Sequence, residues 1–126
     1  MSHPIPTEVE TVRLNWPAPG LNPNSRLHWS RKSRLVKTAR QAAWGATLEK
    51  FGSLNRLPKG SRVYLEMVFC PPDKRRRDAD NIIASLKASL DGISDALGID
   101  DSKFVSTYSM GEPVKGGAVL VTVRSA

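Results

Sequence analysis

A buried strand and a long helix meet in residues 63–98, whose sequence is VYLEMVFCPPDKRRRDADNIIASLKASLDGISDALG. Val63–Cys70 is almost wholly apolar and is followed by two prolines, which predicts a strand inside a sheet. A helix is expected to begin near Asp80 and Asn81, both favoured N-caps, and to end before Gly98. Its buried stripe consists of apolar residues at steps of three or four: Ile82, Leu86, Leu90, Ile93 and Leu97.

Two further elements precede this stretch. Residues 9–16 alternate in polarity and predict a strand, and the prolines and polar residues of 17–30 predict a loop. Apolar residues at helical spacing predict a helix over 32–51, with Trp44 among its core residues and basic side chains on the opposite face.

The residues after the long helix predict two more strands. Residues 104–110 and 118–123 have strand character, and the turn residues of 112–117 between them indicate a hairpin. The order is then β-α-β-α-β-β, an α+β fold in which a small mixed sheet packs with two main helices.

The composition is that of a globular protein. The chain has 126 residues, 40% of them hydrophobic, and one cysteine. This length suits a single domain, and one cysteine excludes an internal disulfide framework. No apolar run approaches the roughly 18 residues of a membrane span, and residues 1–10 lack the apolar stretch of a signal peptide. We therefore expect a soluble intracellular protein without a membrane partner.

The charge is divided along the chain. Nineteen Lys and Arg against 12 Asp and Glu give a net charge of +7. Residues 11–48 carry seven basic side chains and no acid, whereas residues 78–101 carry six acids and one base, Lys87. A basic surface with interleaved Arg and Trp indicates nucleic-acid binding. Because carboxylates help beside phosphates when a divalent cation lies between them, the pattern favours metal-dependent chemistry on a nucleic acid.

Asp78 and Asp80 are the first candidates for such a site. Two carboxylates separated by one residue lie on the same side of an extended backbone and could bind one or two hard cations. Alternatively, Asp80 or Asn81 caps the helix while Asp78 pairs with an arginine, and the motif alone favours neither interpretation. A second pair, Asp100-Asp101, reaches Asp78 only if a later strand folds back; taken alone, it is typical of a solvated turn.

Other chemistries have little support in the sequence. The two histidines, His3 and His28, and the one cysteine lack the spacing of a zinc site. Cys70 lies in an apolar strand, where a packing role is expected. Trp16, at the end of a strand, could have either a packing or a binding role. Trp29 could stack on a base or sugar, although packing is slightly favoured.

Three segments then occur in a characteristic order. Residues 15–19, NWPAP, precede an asparagine and a basic aromatic loop; residues 75–81, RRRDADN, precede a helix and Asp100-Asp101; residues 113–117, PVKGG, precede a final strand. Together they resemble the RusA family of Holliday-junction resolvases. The resemblance implies a single RusA-like endonuclease domain over 1–126, a homodimer, and Mg²⁺-dependent cleavage of four-way DNA junctions by paired symmetric incisions.

The resemblance also implies roles for individual residues. The metal-binding and catalytic carboxylates fall on Asp78, Asp80 and Asp101, with Mn²⁺ as a possible substitute for Mg²⁺. The family's helix lysine falls on Ala84, and Lys87, three residues later, is the candidate that replaces it across a gap. Lys87 would orient the attacking water or neutralise charge on the phosphate.

Contacts with the DNA backbone are expected from basic residues in two regions. The candidates are Arg26, His28, Arg31, Lys32, Arg34, Lys74, Arg75, Arg76 and Arg77.

The hypothesis is thus a resolvase of branched DNA that works in recombination and repair, in the cytoplasm of a bacterial cell or a phage-infected host. One alternative is a non-catalytic DNA-binding protein whose aspartates only cap a helix. Another is a nuclease with the same chemistry that acts on flaps or replication forks.

Overall fold

The computed structural model describes residues 9–52 and 60–125, and His3 lies outside them. Within these residues a four-stranded sheet packs with three helices, which confirms the predicted α+β class. The strands are β1 (Val9–Asn15), β2 (Val63–Cys70), β3 (Phe104–Met110) and β4 (Ala118–Ser125). The helices are α1 (Trp29–Phe51), α2 (Ala79–Ser85) and α3 (Lys87–Leu97), and short 3-10 turns span Pro19–Leu21 and Asp101–Lys103.

The sheet has the strand order β1-β4-β2-β3, so the predicted hairpin of β3 and β4 is wrong. β4 is antiparallel to both β1 and β2, whereas β3 is parallel to β2. The connection between β3 and β4 crosses the end of β2, where the N–H of Val114 donates to the carbonyl oxygen of Pro71 at 2.9 Å. β4 contributes three fully buried valines and β3 is mostly polar and exposed, which explains why β4 takes the centre of the sheet and β3 an edge.

One face of the sheet forms the hydrophobic core with the helices. Alternate residues of β1, β2 and β4 are buried on this face, as the period of two in a strand requires. The largest of the fully buried side chains in these strands are Phe69, Leu65, Met67, Val12, Val63, Val119, Val121 and Val123.

The helix predicted from residue 80 to 97 is two helices that meet at Leu86. The hydroxyl of Ser85 donates to the carbonyl oxygen of Asn81 at 2.7 Å, a bond that competes with the helical ladder and bends helices. Leu86 itself is 1% exposed, and its N–H bonds to the carbonyl of Ile83 rather than to that of residue 82. The helix also begins earlier than expected, because Asp78 is its N-cap.

Only the C-terminal half of α1 packs closely on the core. Ala43, Thr47 and Phe51, four residues apart, are its buried residues. Trp44 follows Ala43 and therefore lies about 100° from it around the helix axis. It is 39% exposed, so the prediction of a core role for Trp44 is wrong. The N-terminal half, from Trp29 to Lys37, is half-buried or exposed at every position.

A glycine allows α1 and α3 to approach each other closely. A Cβ atom on Gly92 would overlap the carbonyl oxygen of Arg40 and lie 3.0 Å from the Cβ of Ala43. Beside this contact, Arg40 binds Asp95 through two bonds, of 2.6 Å and 2.9 Å. The helix layer is therefore joined by a close backbone approach and a bidentate ion pair.

We expect Gly92→Ala to destabilise the protein by about 1–3 kcal/mol, because the added methyl group forces α1 and α3 apart. The matched control is Gly45→Ala, in α1, where a Cβ would meet nothing within 4 Å. Gly45→Ala should stabilise the protein by up to about 1 kcal/mol through helix propensity. Urea unfolding of both variants measures the difference, and equal effects of the two substitutions would contradict the close contact.

Candidate functional site

A cleft of about 400 Å³ lies between the loop that follows β1 and the N-terminal end of α2. It is lined by residues of the two segments 15–19 and 75–81, which are some sixty positions apart in the sequence. Trp16, Pro17 and Ile82 contribute apolar walls. The polar lining consists of Asn22, Arg75, Arg77, Asp78, Asn81 and Ser85.

Arg77 is bound by the protein itself. Its guanidinium lies 2.8 Å from Oδ1 of Asp73 and also donates to the carbonyl oxygens of Asp73 and Arg75, at 3.1 Å and 2.9 Å. The side chain is 13% exposed, and its Cζ lies 5.6 Å from the centroid of the Trp16 ring. Arg77 therefore ties residues 72–77, called the basic loop below, to the loop after β1, a role that differs from the predicted contact with DNA phosphate.

Asp73 also stabilises the basic loop, although it was not among the residues predicted from the sequence. Its carboxylate accepts the N–H of Arg75, two residues on, at 2.9 Å. This bond and the Arg77 guanidinium lower the pKa of Asp73 below its usual value. The signal was present, since an aspartate after Pro71-Pro72 is typical of a turn in which the side chain accepts the N–H two residues later.

Trp16 has a packing role. It is half-buried against the hydrophobic core, with Arg77 over its ring. Gly117 passes next to it with φ +71°, and a Cβ there would lie 2.8 Å from the Cβ of Trp16. Gly117 therefore leaves room for Trp16, which forms part of the cleft wall.

Asp78 and Asp80 are both exposed. Asp78 lines the cleft, and Asp80 is the second residue of α2. Asp78 caps α2, because its Oδ1 accepts the N–H of Asp80 at 3.0 Å. The cap was predicted at Asp80 or Asn81 and lies two or three residues earlier than that, at Asp78. Neither Asp78 nor Asp80 forms an ion pair with any residue that the structure describes, so the predicted Asp78–arginine pair does not form there.

Lys87 and Asp101 form a second group at the start of α3. Nζ of Lys87 lies 2.6 Å from Oδ2 of Asp101 and 2.9 Å from Oδ1 of Asp91. The hydrogen bonds to Asp101 and then Asp91 raise the pKa of Lys87 above its usual value. Ala84 lies on α2, before the break at Leu86, and is exposed.

Asp100 has a local structural role beside this group. Its Oδ1 accepts the N–H of Ser102 at 2.8 Å and caps the 3-10 turn that contains Asp101. This bond lowers the pKa of Asp100. Asp100 therefore fixes the turn from which the side chain of Asp101 reaches Lys87.

The donor chemistry of Asp78 and Asp80 fits a hard divalent cation, since both offer accessible carboxylate oxygens without a competing cation among the described residues. The structure does not bring Asp78, Asp80 and Asp101 together. Within residues 9–52 and 60–125, no three Asp, Glu, His or Cys side chains are close enough to hold one ion. Asp101 is instead held by Lys87.

The basic residues form a largely unpaired surface. His28 caps α1 by accepting the N–H of Ser30 at 3.2 Å, and the ring of Trp29, 75% exposed, lies 5.6 Å from the His28 ring. The first turns of α1 contain no acid, so their cations oppose the helix dipole. These predicted DNA-binding residues form no salt bridge with a described residue: Arg26, Arg31, Lys32, Arg34, Lys74, Arg75 and Arg76.

A comparison with protein-family models found no match. The chain is 39% identical over 117 residues to an uncharacterized protein of Xylella fastidiosa strain Temecula1. The aligned region covers 92% of this chain and 76% of the relative. The chain belongs to the same family as this Xylella protein. None of the helices in the described parts of the chain has the length and apolar character needed to cross a membrane.

We expect Arg77→Ala to lower the melting temperature by about 4 °C, because the basic loop loses its bonds to Asp73 and its contact with Trp16. Arg75→Ala is the matched control, since the Arg75 side chain is exposed and its backbone bonds do not depend on it. Differential scanning calorimetry of both variants gives the comparison. An unchanged melting temperature for Arg77→Ala would show that the tie between the two loops contributes nothing.

Proposed function

We propose that this protein is a metal-dependent endonuclease on branched DNA, similar to the RusA resolvases. The observation that carries the proposal is the position of Asp78 and Asp80. They are exposed carboxylates without a cation partner among the described residues, and Asp78 lines the cleft together with Arg75. Carboxylates left free beside arginines on a protein of charge +7 are suited to a cation that bridges them to phosphate.

Asp78 and Asp80 would hold Mg²⁺, or Mn²⁺ in its place. Asp101, which the resemblance implies as a further ligand, is bound by Lys87 in this structure. When bound, the ion supplies positive charge to the scissile phosphate and lowers the pKa of an attacking water. The cap bond uses one oxygen of Asp78 and restricts its side chain. Lys87, whose ammonium lies beside Asp101 and Asp91, would be the cation that neutralises charge on the phosphate.

The DNA arms would bind along the basic surface. The exposed N-terminal half of α1 presents Arg31, Lys32 and Arg34, and the basic loop presents Lys74, Arg75 and Arg76. Contacts of this kind position the duplex without reading its sequence, and they weaken steeply with salt. Trp29 is exposed enough to stack on a base or sugar. A homodimer in the cytoplasm of a bacterial or phage-infected cell would place two such sites on a nearly twofold junction.

The test is cleavage of a labelled synthetic four-way junction with Mg²⁺ by the wild type, Asp78→Asn and Asp80→Asn. Asparagine is as good an N-cap as aspartate, so Asp78→Asn removes the charge and retains the helix cap. We expect paired symmetric incisions that each substitution slows by about a hundredfold or more, with junction binding retained.

Glu66→Gln provides the matched control, because Glu66 is an exposed carboxylate on the open face of the sheet. It should cleave as the wild type does. Tight binding without any incision, in Mg²⁺ and in Mn²⁺, would contradict the enzyme. Equal cleavage of junctions, flaps and replication forks would instead identify a nuclease of broader substrate range.

A second candidate function is a DNA-binding protein without catalysis. Two observations favour it: Asp78 already has a structural role as a helix cap, and Lys87 already neutralises Asp101. On this alternative the divalent ion has no effect on the protein, whereas the nuclease predicts binding of Mn²⁺ that Asp80→Asn weakens.

We further expect Lys87→Ala to slow cleavage by about tenfold or more with little change in junction affinity or stability, because exposed ion pairs contribute little to folding. Lys103→Ala removes an exposed cation from the 3-10 turn that contains Asp101 and should have no such effect. Single-turnover cleavage and a parallel binding titration separate the two quantities. Equal rates for both variants would remove Lys87 from the mechanism.

A further inference from the structure

The cleft beside Asp78 is large enough for a small organic ligand. Its volume of about 400 Å³ lies within the range of small-molecule sites, about 300–1,000 Å³. One side of α2 lines it with Asp78, Asn81, Ile82 and Ser85, whose spacing of three and four residues places them on the same face of the helix. The remaining lining residues belong to the loop after β1 and to the basic loop.

Rigid rings form much of the apolar lining. Four of the residues that line the cleft carry rings: Trp16, Pro17, Pro19 and Pro72. Side chains of this kind lose little conformational entropy when a ligand binds. Arg77 lies over the Trp16 ring and is itself fixed by Asp73, so the wall is formed before a ligand arrives. The cleft therefore suits a flat and rigid ligand.

Some polar groups of the cleft are already used by the protein and others are not. The hydroxyl of Ser85 donates to the backbone of Asn81, whereas the half-buried side-chain amide of Asn81 forms no hydrogen bond with a described residue. Asn22 accepts the N–H of Asn24 at 2.8 Å through Oδ1, which leaves its NH₂ group as a donor. Arg75 forms no salt bridge with a described residue. The cleft thus offers two amides and one guanidinium to a ligand.

A ligand has to match the ring walls and these polar groups together. A wholly apolar molecule would leave the amides unpaired, which costs free energy, and an inorganic anion would leave the rings without a contact. A nucleotide matches both, because its base has apolar faces and a polar edge of donors and acceptors. Its phosphate is attracted by Arg75 and by the net charge of +7.

We propose that the cleft binds one unpaired nucleobase of a DNA strand, with the amides of Asn81 and Asn22 at the edge of the base and its phosphate near Arg75. A base enters such a cleft most easily where it is already unpaired, because removal from a duplex costs stacking and pairing energy. The cleft would therefore distinguish branched or bulged DNA from an uninterrupted duplex. Since Asp78 lines the same cleft, the captured base also places its own strand beside this carboxylate.

This inference rests on the proposed function, and its first test measures binding in EDTA, without metal-dependent cleavage. Two bulged duplexes are compared that differ in one respect: the unpaired nucleotide carries a base in one and is abasic in the other. Both present the same phosphates to the basic surface. We expect the duplex with the base to bind about tenfold more tightly, as a contact between one base and an apolar wall provides.

The outcomes separate this inference from the proposed function. Equal affinities for the two duplexes would overturn the base-binding cleft and leave the cleavage test unaffected. A preference for the base in a protein that makes no incision would retain the cleft and contradict the enzyme. A protein that binds neither duplex would overturn both.

The second test places the base in this cleft by substitution. Asn81→Leu keeps the approximate size of the side chain and removes its hydrogen-bonding groups, so we expect it to lose most of the preference for the base. Trp29→Ala is the matched control, because Trp29 is an exposed ring outside the cleft lining and should leave the preference unchanged. A preference that survives Asn81→Leu, or one that Trp29→Ala removes, would assign the base to another surface and overturn the proposal.

The third test uses Trp16 as a reporter and leaves the cleft unaltered. The chain has three tryptophans, so a protein with Trp29→Phe and Trp44→Phe retains Trp16 alone. Saturation with the base-bearing duplex should quench the emission of Trp16, and the abasic duplex should not. Equal emission with both duplexes would overturn the proposal, even if Asn81→Leu failed to fold.

Discussion

The cleft depends on the first residue of β4, Ala118, which pairs with a residue of each neighbouring strand. Ala118 is the partner of Asn15 in β1 and of Cys70 in β2. Because β4 is antiparallel to both neighbours, the ends of β1 and β2 reach the same corner of the sheet as the beginning of β4. The loop with Trp16, the basic loop and Gly117 all start from that corner, and their contacts form the walls of the cleft.

Much of this arrangement follows from local sequence patterns. The apolar run of β2, the helical spacing of Ala43, Thr47 and Phe51, and the role of Gly98 as the left-handed end of α3 could all be predicted. The pairing of β3 could not, because a turn-rich connector between two strands favours a hairpin whenever only local signals are considered. What decides the pairing is the competition for the sheet centre, and that competition involves β2, some forty residues earlier in the chain.

The candidate site shows the same limit. The two exposed aspartates could be identified because their spacing and neighbours are local. The engagement of Arg77 by Asp73 and Trp16 could not, since the run of three arginines gives no sign that one of them turns inwards. The break at Leu86 could not be predicted either, because the residue types at 81 and 85 are compatible with a continuous helix. The break is associated with the bond from the Ser85 hydroxyl to the carbonyl oxygen of Asn81, which the sequence does not indicate. As a result Ala84 and Lys87 lie on separate helices.

The central position of β4 has a consequence for how the chain folds during its synthesis. β4 is made after β1, β2 and β3, yet it separates β1 from the other two strands. Until it emerges from the ribosome, β1 has no partner and the apolar face of β2 lacks one neighbour. Its pairing with β1 also joins residues more than a hundred positions apart, for example Asn15 with Ala118, and contacts of such sequence separation form slowly. The apolar strands of the nascent chain are therefore exposed until β4 has been made. A chain that is truncated within residues 118–125 would lack the strand that joins β1 to β2.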